Sequence, residues 1–166
     1  GTSAQPAVIT SFKDDSVAGD INGDGSSSGR AGDYRYAIQN LGGTITMQYA
    51  QFKYALESLT TYGGHTYGDH LTISQVQAAL SSANNAEVNL QASTIVQADY
   101  GLTVWGNSKV TYRGSFSGIT NMAVKSCNWG VGQCFVDAAN SYWGSDDGPF
   151  PPGGPLVCGQ VVAIPW

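Results

Sequence analysis

The sequence predicts an all-β fold wound as a solenoid, and three observations carry that expectation. Short segments alternate apolar and polar residues at period two, they recur at a loose interval of about twenty residues, and glycines fall between them. The segments are ITMQYAQF from Ile45, LTISQVQA from Leu71, VNLQASTI from Val88, VTYRGSFS from Val110 and FVDAANSY from Phe135, with starts 26, 17, 22 and 25 residues apart. A repeating coil of two or three short strands, turned at glycines such as Gly63, Gly64, Gly101, Gly106 and Gly114, fits that spacing, with insertions placed in the loops.

In chain order, the first strand expected is AVITSF, Ala7 to Phe12, and the acidic, glycine-punctuated run from Lys13 to Gly29 reads as a long loop. The repeated segments follow from Ile45. Two stretches compete with the strand reading: QYAQFKYALESL, Gln48 to Leu59, puts Tyr49, Phe52, Leu56 and Leu59 at helical spacing, and Ser74 to Ala86 is similarly ambiguous. The inward positions expected of the solenoid are Ile9, Ile45, Met47, Leu71, Ile73, Val88, Leu90, Val110, Phe135 and Val161.

At 166 residues the chain reads as a single domain, residues 1–166. Only 11% of residues are charged, against roughly 25% in an average globular protein, so turns and neutral polar surface dominate. Twelve acids against seven scattered bases leave a formal charge of −5, which gives no footprint for nucleic acid or an anionic membrane. No apolar run approaches the roughly 20 residues of a membrane span. GTSAQPAVIT lacks the basic start and apolar stretch of a signal peptide, so the chain reads as a mature or excised segment.

The strongest chemical pattern is Asp20-x-Asn22-x-Asp24-Gly25, preceded by Asp14 and Asp15. Hard cations take several oxygen ligands, and alternating Asp and Asn before a glycine let a tight loop aim three side chains at one centre, which points to calcium. The Glu that would complete an EF-hand loop is absent, Ala31 standing in its place, so Asp14, Asp15 or Asp33 would have to finish the site. The competing reading is a solvated turn, since Asp and Asn favour such geometry without metal. The same turn reading is preferred for Asp146 and Asp147, and His65 and His70 lack a third ligand that would make them a metal pair.

Cys127, Cys134 and Cys158 have neither zinc nor redox-dithiol spacing. CNWGVGQC makes Cys127 to Cys134 the expected disulfide in an oxidising compartment, with Cys134 to Cys158 next and three reduced thiols as the alternative. Nucleophilic catalysis has no supporting motif. Asp99, Asp137, Lys53 and Arg113 are the charged residues that the strand frame could project together, and in that frame they do not converge. Tyr34, Tyr36, Tyr62, Tyr67, Tyr100, Trp105 and Trp129 are aromatics available either to stack on sugars or to cover the coil.

ITSFKDDSVAGDINGDG, Ile9 to Gly25, resembles the strand and acidic loop of bacterial and archaeal surface proteins in the right-handed parallel β-helix repeat family, within the pectate-lyase-like superfamily. FVDAANSYWGSDDGP from Phe135 and VCGQVVAIPW from Val157 look like the terminal coil of such domains, with Tyr142 where an Asn-x-Trp-Trp-Gly turn has its first Trp. The resemblance implies a right-handed parallel β-helix of about six or seven coils, with short helical insertions and a terminal coil at 135–166. It implies function weakly, because the superfamily holds lyases, hydrolases, adhesins and structural coils.

The expectation is therefore an extracellular or cell-surface structural or adhesive module, stabilised by calcium held by Asp14, Asp15, Asp20, Asn22 and Asp24. Its partners would be further copies of itself, neighbouring coils of a longer chain, or carbohydrate. End-to-end self-association would use Ile9, Phe12, Val157, Val161 and Trp166, because strand edges on terminal coils need covering and the first strand begins with no room for a helical cap ahead of it. The alternative function is a carbohydrate-active enzyme, which a cleft with convergent carboxylates and a base on one sheet would favour.

Overall fold

The computed structural model describes residues 1–126, 133–149 and 157–164. Among these, thirteen strands and one four-residue helix, α1 (Asp15–Ala18), are present, and every strand pairing is parallel. The strands stack into three faces. The first face runs through β1 (Ala7–Ile9), β4 (Ala50–Lys53), residues 72–74 of β7 (Thr72–Ala83), 94–96 of β8 (Glu87–Val104), 115–117 of β9 (Lys109–Ser117) and Tyr142, bridged to Ser115. The second comprises β2 (Tyr34–Asn40), β5 (Ala55–Tyr62), residues 76–83 of β7, 98–104 of β8, β10 (Met122–Ser126) and β12 (Val157–Gly159). The third stacks β3 (Thr44–Gln48), β6 (His65–Asp69), residues 87–91 of β8, 109–112 of β9, β11 (Phe135–Asp137) and β13 (Val161–Val162).

Among the described residues each face thus has six rungs, and five full turns separate the first from the last. This is a parallel β-solenoid consistent with right-handed winding, with somewhat fewer turns than the six or seven coils expected. The central coils are regular: Phe52 pairs with Ile73, Ile73 with Ile95 and Ile95 with Phe116, at steps of 21 or 22 residues. The stretches Gln48 to Leu59 and Ser74 to Ala86, which compete as helices in the sequence, are largely strand.

The uneven intervals in the sequence have a structural cause. Ile45, Val88 and Val110 share the third face, but Leu71 precedes the first-face rung, so the segments starting at Leu71 and at Ile45 are not equivalent. The true rung between Ile45 and Val88 is β6, whose inward residues are Thr66 and Gly68. Neither residue is apolar enough to register in an alternation. A Cβ on Gly68 would lie 2.5 Å from Leu71 Cδ1 and 2.7 Å from Leu90 Cδ2, so the bare backbone leaves room for those two side chains.

The core is a set of columns, one residue from each coil. On the first face Phe52, Ile73, Ile95 and Phe116 are fully buried, and Trp143 ends the column with its ring 4.9 Å from that of Phe116. Leu59, Leu80, Leu102 and Val124 form the second-face column, and Val88, Val110 and Val136 that of the third. Of the expected inward residues, Leu71, Ile73, Val88, Leu90 and Val110 are buried, while Ile45, Met47 and Val161 are partly so. Phe135 is instead 41% exposed: it pairs with Lys109 on the outer row, and Val136, paired with Val110, points in. Ile9 is 36% exposed because it overlies Phe52 in the first rung, with no rung beyond it among the described residues.

Corners are made by residues in the left-handed region. Tyr49, His70 and Ala92 turn the chain from the third face to the first in successive coils, Tyr54, Gln75, Gln97 and Gly118 from the first to the second, and Gly63, Asn84 with Asn85, and Gly106 with Asn107 from the second to the third. Non-glycine side chains there cost roughly 1–2 kcal/mol each, which the flanking ladders must hold down.

Candidate functional site

The second face carries a groove on its outer surface. In β5 both Ser58 and Leu59 are buried, as are Ala79 and Leu80 one coil on and Gly101 and Leu102 in the next, so strict alternation breaks along this face. The register then sets Ala78 between Glu57 and Tyr100, and Ser81 between Thr60 and Thr103, while Tyr62 pairs with Ala83. Small residues of the middle coil form the floor and larger ones of its neighbours the walls. The resulting groove encloses about 560 Å³ and runs along residues 78–83, a length of about 17 Å at ~3.3 Å per residue.

Its polar groups are held in place. Thr120 donates its hydroxyl to Asp99 at 2.7 Å, Ser81 and Thr103 share a 2.9 Å hydrogen bond, and Thr103 donates to the Leu80 carbonyl at 3.0 Å. Lys125, in the next coil, lies 5.7 Å from the ring centre of Tyr100 and 5.4 Å from that of Trp105. Glu57, Asp99 and Lys125 therefore share one cleft with Tyr62, Tyr100 and Trp105. Glu57 and Lys125 are residues that the strand frame read from the sequence did not bring to Asp99. Arg113 and Asp137, which that frame kept apart, meet at 2.7 Å across two coils on another face. The Arg113 hydrogen bond holds the Asp137 carboxyl below the ordinary range, against a smaller opposing effect of burial.

The acidic loop is the second candidate. Asp15, Asp20 and Asp24 each bring a carboxylate oxygen within 4.8 Å of the other two. Asp20 also accepts backbone N–H groups from Gly23, Asp24 and Gly25 at 2.6, 3.1 and 3.0 Å, and Asn22 donates its amide to Asp24 at 2.7 Å. Asp14 faces elsewhere. It is buried, accepts from Thr10 at 2.6 Å and lies 3.5 Å from Lys53 Nζ, which ties the loop to the first face. Burial opposes its ionisation, but the Ser16 and Thr10 hydroxyls and Lys53 together hold its pKa below the usual value. Asp33, expected as a possible completing ligand, accepts instead from Ser11 at 2.7 Å and from the Arg30 N–H at 3.0 Å.

The histidines occupy different places: His65 lies 3.2 Å from Glu87 on the third face, and His70 sits at a corner, 2.8 Å from Asp69. Asp147 forms a turn with Ser145, its N–H donating to the Ser145 hydroxyl at 3.1 Å. Tyr34 is a structural aromatic, its hydroxyl donating to the Lys53 carbonyl at 2.7 Å, and burial pushes its pKa up to about 12. Cys127, Trp129 and Trp166 lie outside the described residues, so the Cys127 to Cys134 bridge and the Trp166 contact fall there too. No disulfide is formed among the described residues, and Cys134 and Cys158 are not joined to each other. Compared with known proteins, the chain matches no family model, no curated protein and no solved structure.

Proposed function

We propose that this β-solenoid is an extracellular adhesive module of the pectate-lyase-like, surface-protein type, which holds a glycan in the second-face groove. The observation that carries the reading is the groove itself. Tyr62 and Tyr100 offer apolar ring surface for sugar C–H faces, while Thr60, Ser81, Thr103 and Gln77 offer neutral hydrogen-bonding groups beside it. Calcium held by Asp15, Asp20 and Asp24 would steady the loop beside the first coil, and exposed apolar residues at the two ends, Ile9 and Phe12 at one and Val162 and Ile164 at the other, favour end-to-end association. The test is binding to immobilised polysaccharides. Tyr100→Ala and Tyr62→Ala should each weaken retention about three- to tenfold, the equivalent of one lost stacking contact. Retention unchanged in both variants would refute the groove as the site.

A second reading is favoured by one observation: Glu57, Asp99 and Lys125 line the same cleft, and two carboxylates with a base are the residue types that a carbohydrate-active enzyme uses. New reducing ends or unsaturated products after prolonged incubation with a retained polysaccharide, lost in Glu57→Gln or Asp99→Asn, would establish it over simple binding.

A further inference from the structure

At the corner between the third and first faces, Tyr49, His70 and Ala92 succeed one another coil by coil, all in the left-handed region. The first two stack, with ring centres 4.9 Å apart and planes 29° from parallel. The third position carries only a methyl group, so the column of rings stops at His70. A pocket of about 300 Å³ runs past this point, lined by Thr2, Ser3 and Pro6 of the N-terminal segment as well as by residues of the corner and the first face, among them Gln51, Thr72, Ala92 and Thr94. Asp69 lies 2.8 Å from Nδ1 of His70, and Gln48 in turn donates to Asp69 at 3.4 Å, contacts that favour the stacked orientation of the ring.

We propose that this pocket binds a single pyranose ring, which takes the place in the column that Ala92 leaves empty. One sugar face would stack on His70 at the spacing the Tyr49 ring already keeps on the other side. Thr72 and Thr94, neighbours on the outer row of the first face, and Gln51 above them would hydrogen-bond the equatorial hydroxyls. A planar aromatic ligand fits this lining less well, because it would cover these polar groups without pairing them. The site is separate from the second-face groove and does not depend on it.

The experiment follows the His70 ring protons by NMR while the methyl pyranosides of glucose, galactose, mannose and N-acetylglucosamine are added in turn. At least one should shift them saturably, and open-chain sorbitol should not. Ala92→Tyr, which extends the ring column on a backbone conformation that Tyr49 already tolerates, should weaken binding at least tenfold. His70→Ala, at a half-exposed position, gives a second variant, read on the Thr94 amide and expected to lose binding to the same degree. Tyr100→Ala should leave this binding intact even if it abolishes retention on polysaccharide. No response to any of the four sugars, an undiminished response in Ala92→Tyr, or an equal response to sorbitol or indole would overturn the proposal.

Discussion

Gly101→Ala should destabilise the solenoid by about 1–3 kcal/mol, the usual cost of forcing a methyl group into a packed core. Gly101 lies in the buried column of small residues that runs from Ser58 through Ala79 to Ala123. A Cβ at this position would sit 2.4 Å from the Ala123 carbonyl oxygen and 2.9 Å from Phe116 Cε1. Neither neighbour can yield cheaply. The carbonyl belongs to the adjoining strand of a parallel ladder, and Phe116 is fully buried between Tyr112 and Trp143, at ring distances of 4.6 and 4.9 Å. Gly68→Ala is the matched comparison, because its Cβ meets the ends of two leucine side chains and not a backbone carbonyl. For a chain of this size each kcal/mol moves Tm by about 2–4 °C, so Gly101→Ala should melt roughly 2–12 °C lower and Gly68→Ala should fall by less. Urea unfolding with a shared slope reads both. Because Gly101 follows Tyr100 on the groove wall, its substitution should also weaken polysaccharide retention, and Gly68→Ala should not. Equal midpoints for Gly101→Ala and the parent, or a larger loss in Gly68→Ala, would refute the steric argument.

Asp137 has a depressed folded-state pKa, so its stabilising contribution is present above the unfolded value of about 3.9 and is lost as pH falls through the folded one. Asp137→Asn should accordingly flatten the decline in urea midpoint as pH falls below about 4, and an unchanged slope would count against the Arg113 pairing. If the loop holds calcium, adding calcium to chelator-treated protein should raise Tm by mass action, and Asp24→Asn should remove that rise; identical melting with and without calcium would leave only a turn. Asp20→Ala is the poorer variant, because Asp20 also satisfies three backbone N–H groups and its loss would loosen the loop without metal. End-to-end association predicts concentration-dependent sedimentation that Ile9→Lys reduces more than Asp24→Asn does, and a monomer at every concentration would remove that part of the proposal.

The fold was legible in the sequence because parallel stacking makes successive coils alike: Val88 and Val110, or Leu80 and Leu102, recur at the same inward position. The period is blurred where an inward residue is not apolar, as at Thr66 and Gly68, so β6 shows no alternation and Leu71, just before a first-face rung, supplies the apolar start in its place. Helical spacing at Tyr49, Phe52, Leu56 and Leu59 has a similar origin. Two left-handed corners, at Tyr49 and Tyr54, and the paired inward residues Ser58 and Leu59 interrupt period two within a dozen residues, and the sum of those interruptions mimics a helix. Asparagines and glycines at 63–64, 84–85 and 106–107 carried the period more faithfully than the strands did, since these residue types adopt the left-handed region at least cost. Tyr54, Gln75 and Gln97 carry no such signature, and their corners could be seen only in three dimensions. The groove was hidden for a related reason. Glu57, Ala78 and Tyr100 become neighbours through register alone, and an error of one residue in any coil would send one of them inward. A site made by one loop, such as Asp20 to Asp24, is therefore readable from local spacing, whereas a site made across coils waits on the register.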